Sequence, residues 1–271
     1  MDVTKPLLHQ SSSDSRLMRR LLTSLVVVTI YWWAIQGTNT SLTHILEGIP
    51  FMAGYIKRMF PPELSIINRL LVGSAETIQI AIMGTTLGAL IALPLSFLAA
   101  RNVMPVRAVY QATRSLFDVC RGVNEIVWAL LFVSMVGLGP FPGVLALTVH
   151  LVGALGRYFS EAIETADPEV IKAIVATGAS RTLVVVHGIL SEIKPLIIGY
   201  VLYYFEHSVR AATILGLVGA GGIGFELITS IRLFKSQEVL TTLIVMMLMV
   251  VAVDRISAHV RNRIVKVEVI E

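Results

Sequence analysis

The chain has 271 residues, 55% of them hydrophobic and 15% charged, with a mean hydropathy of +0.77. Soluble domains carry about 25% charged residues, so the composition argues against a water-soluble fold and for a polytopic membrane protein. The single cysteine, Cys120, excludes an intrachain disulfide and argues against a structural zinc or iron–sulfur site. The net charge of +4 would suggest nucleic acid as a partner in a soluble protein. In a membrane protein the placement of the charges matters more, and no nucleic-acid partner is expected.

A helix needs roughly 20 apolar residues to cross about 30 Å of hydrocarbon. The first candidate lies at about 20–37, behind a polar and flexible segment, 1–19. No A-x-A-like cleavage site follows it, so it reads as a span rather than a signal peptide. The stretch 44-HILEGIPFMAGYIKRMF-60 mixes apolar and basic residues and reads as an interfacial helix, with a docking surface as the alternative. The second span, Thr77 to Ala100, is free of charge, with Glu76 at its start. Its Gly84 and Gly88 form a G-x-x-x-G that allows close helix contact.

A basic loop, 101–114, comes next. The apolar stretch from Ile126 to Leu138 covers only about 20 Å at 1.5 Å per residue. The third span therefore has to begin near Ser115 or Asp118, which draws Arg121 and Glu125 into the membrane or to its edge. After the turn 139-GPFPG-143, span four covers about 143–160. A polar segment, 161–194, separates it from span five, Pro195 to Leu217, which contains Glu206, His207 and Arg210. Span six runs from about Val239 to Arg255 and a tail, 256–271, follows.

Six spans put both termini on one side. That side then carries fifteen lysines and arginines and the other five, with Arg121 and Arg210 inside spans. By the positive-inside rule the richer side is cytoplasmic.

The stretch 216-GLVGAGGIG-224 contains G-x-G-x-x-G, the pyrophosphate fingerprint of dinucleotide folds. That motif needs a strand before it and a helix after it, and here a membrane span precedes it. No P-loop occurs, so any ATP use must fall to a partner chain, and the six histidines show no metal-ligand spacing. No cofactor or metal is expected on this chain. Gly219, Gly221, Gly222 and Gly224 supply backbone freedom instead. They read as an outer gate loop on the extracytoplasmic side whose exposed N–H groups suit an anion. A tight helix–loop junction is the alternative.

Charges in a bilayer cost about 2.5–3.5 kcal/mol each on insertion scales and need partners or water. Tyr203, Glu206, His207 and Arg210 fall within an arc of roughly 100° on span five, and Glu206 and Arg210, four apart, can pair. Arg114, Asp118, Arg121 and Glu125 form a stripe of alternating sign on span three that can neutralise itself. With Glu76, Arg121 and Glu125, the span-five face makes up the candidate pathway. Arg210 offset by Glu206 suits weak transit of an anion.

In 167-DPEVIKAIVATGASRTLVVVHGILSEIKP-195, Asp167 is placed to cap a helix opened by Pro168, with Glu169 in its first turn. Gly178 breaks that helix and Ser180 caps the next. An amphipathic helix of this length suits docking into a partner's groove.

This segment resembles the cytoplasmic loop of ABC-importer permeases through Ala173, Gly178 and Leu190, with Lys172, Gly188 and Ser191 as departures. The stretches 76–102, 126–141, 176-ATGASR-181 and 204–224 resemble the phosphonate permease. The resemblance implies an all-α, polytopic bundle of six transmembrane helices with a cytoplasmic coupling-helix loop. It implies a homodimer in the bacterial inner membrane, two cytoplasmic ATPase subunits that bind ATP and Mg, and an extracytoplasmic phosphonate-binding protein. Glu169, Lys172, Ala173, Gly178, Ala179, Ser180 and Arg181 are then the coupling residues. Alternating access would import phosphonate, phosphite or a phosphate-like anion. A self-sufficient secondary transporter or channel is the alternative. A membrane-embedded enzyme has no nucleophile–base constellation to support it.

Overall fold

A computed structural model describes residues 11–38, 42–180 and 183–268. The chain divides into two units, 1–58 and 59–271. The first holds α1 (Ser11–Gly37) and almost all of α2 (Leu42–Met59). The apolar stretch Met18–Gly37 is long enough to cross a bilayer. The helix starts at Ser11, inside the segment expected to be flexible. α2 occupies the stretch read as interfacial, with Lys57 and Arg58 in its last turn, where cations suit the helix dipole.

The second unit begins with a 3₁₀ turn, Leu64–Ile66, and α3 (Ile67–Leu98). It continues through α4 (Arg107–Gly122), α5 (Glu125–Val136), α6 (Pro140–Thr165) and α7 (Pro168–Ala176). A π-helical segment, Val184–Ile189, leads into α8 (Leu190–Leu215). A 3₁₀ turn, Gly216–Val218, precedes α9 (Ile223–Arg232) and α10 (Ser236–Glu268). The protein is an all-helical, multi-pass membrane protein. Five helical stretches are long and apolar enough to cross, and the bent pair α4–α5 makes a sixth.

The expected boundaries shift in three places. α3 starts ten residues before Thr77, so Glu76 lies within the helix rather than at its start. α10 runs on to Glu268 through most of the expected tail. The third span is not one helix begun near Ser115. It is two helices bent by 85°. Val123 and Asn124 are both extended, and the Asn124 side chain accepts from Ile126 N–H at 2.9 Å to start α5. Breaking a helix in hydrocarbon frees backbone carbonyls that must find donors. Trp128 Nε1 donates to the Cys120 carbonyl at 3.2 Å, and His150 Nδ1 lies 3.4 Å from the Val123 carbonyl.

α3 and α6 form the central seam. Lipid tails are as apolar as leucine, so helices in a bilayer associate through close packing rather than hydrophobic transfer. The seam achieves this with the G-x-x-x-G. A Cβ on Gly84 would lie 2.7 Å from Leu147 Cβ, and one on Gly88 2.7 Å from Leu151 Cβ. Both leucines and Leu155 are fully buried with Phe159 and Leu215 in the main core cluster. Thr85 donates to Ser208 at 3.0 Å and ties α8 to the same seam.

Candidate functional site

The site is built around α8, which packs against α3, α6, α5 and α10. Its expected polar face divides between two neighbours. Arg210 and Glu206 do not pair with each other. The Arg210 guanidinium grips both oxygens of Asp254 on α10, at 2.8 and 3.0 Å. Buried Glu206 meets Arg261, also on α10, at 3.4 Å. Four-residue spacing makes Glu206 and Arg210 neighbours, but the α10 groups reach them from across the helix interface with better geometry.

His207 faces the other way. Its Nε2 lies 3.9 Å from Glu125 Oε1, while His150 Nδ1 on α6 lies 3.8 Å from Glu125 Oε2. The two imidazoles stack with centroids 6.4 Å apart. Three elements thus gather two of the six histidines that show no ligand spacing in the chain. Tyr204 stands edge-on to both His207 and Tyr203, at 6.0 and 5.3 Å, and Tyr158 sits 5.0 Å from Tyr200. Tyr203 itself is exposed.

The expected stripe on span three is interrupted by the 85° bend. Asp118 and Arg121 pair at 2.9 Å. Arg114 leaves the stripe for Glu164 on α6 at 2.9 Å and the Ala99 carbonyl at 3.0 Å. Glu125, beyond the bend, faces histidines instead of arginine. A cavity of about 490 Å³ opens beside this bend, lined by Asp118, Arg121, Gly122, His150, Ala154, Tyr158 and Tyr204. It offers one guanidinium, already offset by a carboxylate, and two phenol hydroxyls. Sequence reading missed His150, which lies in an uncharged helical stretch, and Tyr158 and Tyr204, which no local spacing ties to His150 or Arg121.

The glycine run is a packed junction. Gly219, Gly221 and Gly222 have φ of +91°, +77° and +73°, a region open to glycine at no steric cost. Gly224 lies inside α9 and is needed for closeness instead, since a Cβ there would meet the Thr213 carbonyl. The loop's N–H groups are largely committed. Gly222 N–H donates to the Glu76 carboxylate at 3.0 Å and Ile223 N–H to Thr77 Oγ1 at 2.9 Å. Ala220 N–H reaches the Leu215 carbonyl at 3.2 Å. Glu76, expected in the pathway, here holds the head of α9, where the helix dipole favours a negative charge. The expected exposed N–H groups are thus replaced, at Gly222 and Ile223, by bonds to α3.

In the loop after α6, Asp167 caps α7 by accepting from Glu169 N–H at 2.8 Å. Its own N–H donates to both oxygens of Glu192, at 2.9 and 3.1 Å, tying α7 to the start of α8. Gly178 turns the chain with φ +78°. Glu169, Lys172, Ala173 and Ser180 are exposed, Ala179 is half-buried, and Arg181 lies outside the described residues. Ile171 packs against the buried cluster that includes Ile163, Ile189 and Ile193. A Cβ on Gly188 would come within 3.1 Å of Ile174 Cδ1, so this departure from the importer-permease loop gives Ile174 its room.

Residues 92–266 match the family described as binding-protein-dependent transport system inner membrane component. A phosphite transport system permease protein of Stutzerimonas stutzeri is 38% identical, over 87% of this chain and 85% of its own length. A phosphate-import permease protein of Mycolicibacterium smegmatis is 34% identical, over 85% of this chain and 43% of that longer protein. Among solved structures, the inward-facing MetNI methionine ABC transporter has a TM-score of 0.64 at 20% identity. That alignment covers 74% of this chain and 99% of the other.

Proposed function

Because the chain belongs to the inner-membrane component family of binding-protein-dependent transport systems, we propose that it is the translocating subunit of an ATP-driven importer for phosphonate or a related phosphorus oxyanion. Two copies form the membrane domain. Two cytoplasmic ATPases dock on α7, and an extracytoplasmic binding protein delivers the anion. Both termini are cytoplasmic, in keeping with the concentration of lysine and arginine on that side.

One observation carries the reading. The cavity at the α4–α5 bend brings Arg121, Tyr158 and Tyr204 to one wall. These are donors for an oxyanion. Arg121 is offset by Asp118 at 2.9 Å, which weakens the trap. A transit site must bind well enough to admit its ion and weakly enough to release it. The phosphite and phosphate systems to which two relatives belong supply the anion class. ATP-driven closure of the docked subunits would move α7, and Glu192 would pass that movement to α8 through its two bonds to Asp167 N–H.

The test is co-reconstitution with the ATPase and binding protein in liposomes. Labelled phosphite, methylphosphonate and phosphate are offered singly and in competition. ATP-dependent uptake of at least one is expected, with Arg121→Ala lowering it by at least about tenfold at normal chain level. Uptake by the chain alone under an ion gradient would instead establish a secondary carrier.

A further inference from the structure

The charged groups around α8 have a consistent pattern, with one exception. Arg210 has Asp254, Arg261 has Glu206, Arg121 has Asp118, and Arg114 has Glu164. Glu125 has no arginine or lysine among the described residues. It is mostly buried and stands between two imidazoles, at 3.8 and 3.9 Å. Those separations are too long for hydrogen bonds. One ligand atom each from Glu125, His150 and His207 lies within 4.8 Å of the other two.

The structure assigns Glu125, His150 and His207 as a three-ligand site for one divalent transition ion, zinc by donor type, with its open position toward the cavity lined by Arg121, Tyr158 and Tyr204. Two imidazoles and a carboxylate form a donor set that zinc takes with a fourth position left open. Imidazole selects the later first-row ions over magnesium or calcium. Around a tetrahedral zinc, ligand atoms stand roughly 3.3 Å apart. Side-chain rotations that draw the ligand atoms together from within 4.8 Å of one another, by up to about 1.5 Å, would close the site. The contact displaced is the long approach of His150 Nδ1 to the Val123 carbonyl, 3.4 Å. Arg121 and Arg210, the nearby cations, are each neutralised by their own aspartate, so they oppose the ion weakly. A dication with one carboxylate ligand keeps one net positive charge. Its open position suits an oxygen of an anion in the cavity, and only this last step rests on the proposed importer function.

The probe is cobalt(II), whose visible absorption reports tetrahedral coordination. It is titrated into the full chain in lipid nanodiscs after chelator treatment. One cobalt per chain with tetrahedral bands is expected, displaced by zinc. Glu125→Gln, His150→Ala and His207→Ala each lower the affinity by at least about tenfold, while His259→Ala leaves it unchanged. Chains that elute and melt like the parent establish that a loss is not misfolding. Should a variant fail to fold, the parent's imidazole-nitrogen couplings, read by pulsed EPR with copper(II), decide the matter: two coordinated nitrogens support the site. Absence of bands, or equal binding by the three variants, overturns it. Phosphite uptake in a chain that binds no cobalt removes the metal site and leaves the importer standing. Cobalt binding without any oxyanion uptake does the reverse.

Discussion

The two sides of α8 handle polar groups in opposite ways. Toward α10, every charge meets its opposite: Arg210 with Asp254 at 2.8 Å and Glu206 with Arg261 at 3.4 Å. Toward α5 and α6, Glu125 meets two imidazoles at nearly 4 Å and closes no hydrogen bond with either. The first side is a fastening. The second is a set of lone pairs held in place by packing, with a cavity beside it. A helix that had only fastened faces would be rigid, and one with only open faces would leave its charges uncompensated in a bilayer.

Breaking the fastened side should have the largest effect. Arg210→Ala leaves Asp254 without the guanidinium nitrogen that reaches both its oxygens. A fully buried pair broken in this way costs about 3–5 kcal/mol. Both side chains here are about two-fifths exposed, so a loss of roughly 1–3 kcal/mol is expected by mixed-micelle unfolding. The charge swap, Arg210→Asp with Asp254→Arg, should recover part of that loss. If Arg210→Ala abolishes uptake at normal stability and the swap does not restore it, Arg210 serves the anion directly and the two sides are less distinct than drawn here.

Glu206→Gln should cost less, about 1 kcal/mol or below, because its contact with Arg261 is long and Arg261 is partly exposed. The smallest stability effect is expected on the open side. Glu125→Gln and His207→Phe in metal-free protein should each shift stability by no more than about 0.5 kcal/mol. Their double-mutant coupling should also stay below about 0.5 kcal/mol, while the Arg210–Asp254 cycle gives about 1–3 kcal/mol. A strong Glu125–His207 coupling without metal would make that side a second fastening.

Much of the bundle was legible from residue order. The six hydrophobic stretches and the capped helix after Asp167 are in place, while the turn expected at 139–143 falls at 137–139 and Pro140 already opens α6. The reading went astray where a local rule met a distant competitor. Glu206 and Arg210 were natural partners by helical spacing, yet Asp254, 44 residues away, claims the arginine. The alternating stripe on span three looked continuous, yet two extended residues at 123 and 124 turn Glu125 out of it. Positive φ was foreseen for the glycine loop. Its dependence on Glu76 and Thr77, 146 residues earlier in the chain, had no local signal. Likewise His150 and His207 share no spacing, since α6 and α8 bring them together.

What the sequence determined by itself was everything that depends on a sum over a short window. Insertion in a bilayer follows the apolar content of about twenty neighbouring residues, and caps and turns depend on two or three. Those quantities are local, so the spans and the α7 cap could be read directly, whereas the break at 123–124 was not. Only the tertiary structure decided which charge meets which, where the cavity opens and which glycines the seam requires. Ion pairing, hydrogen bonding and close packing fall away within a few ångströms, and chain position says nothing about distances across α8, α10 and α6. The same fold that gave Arg114, Arg121, Arg210 and Arg261 their carboxylates left Glu125 to the two histidines.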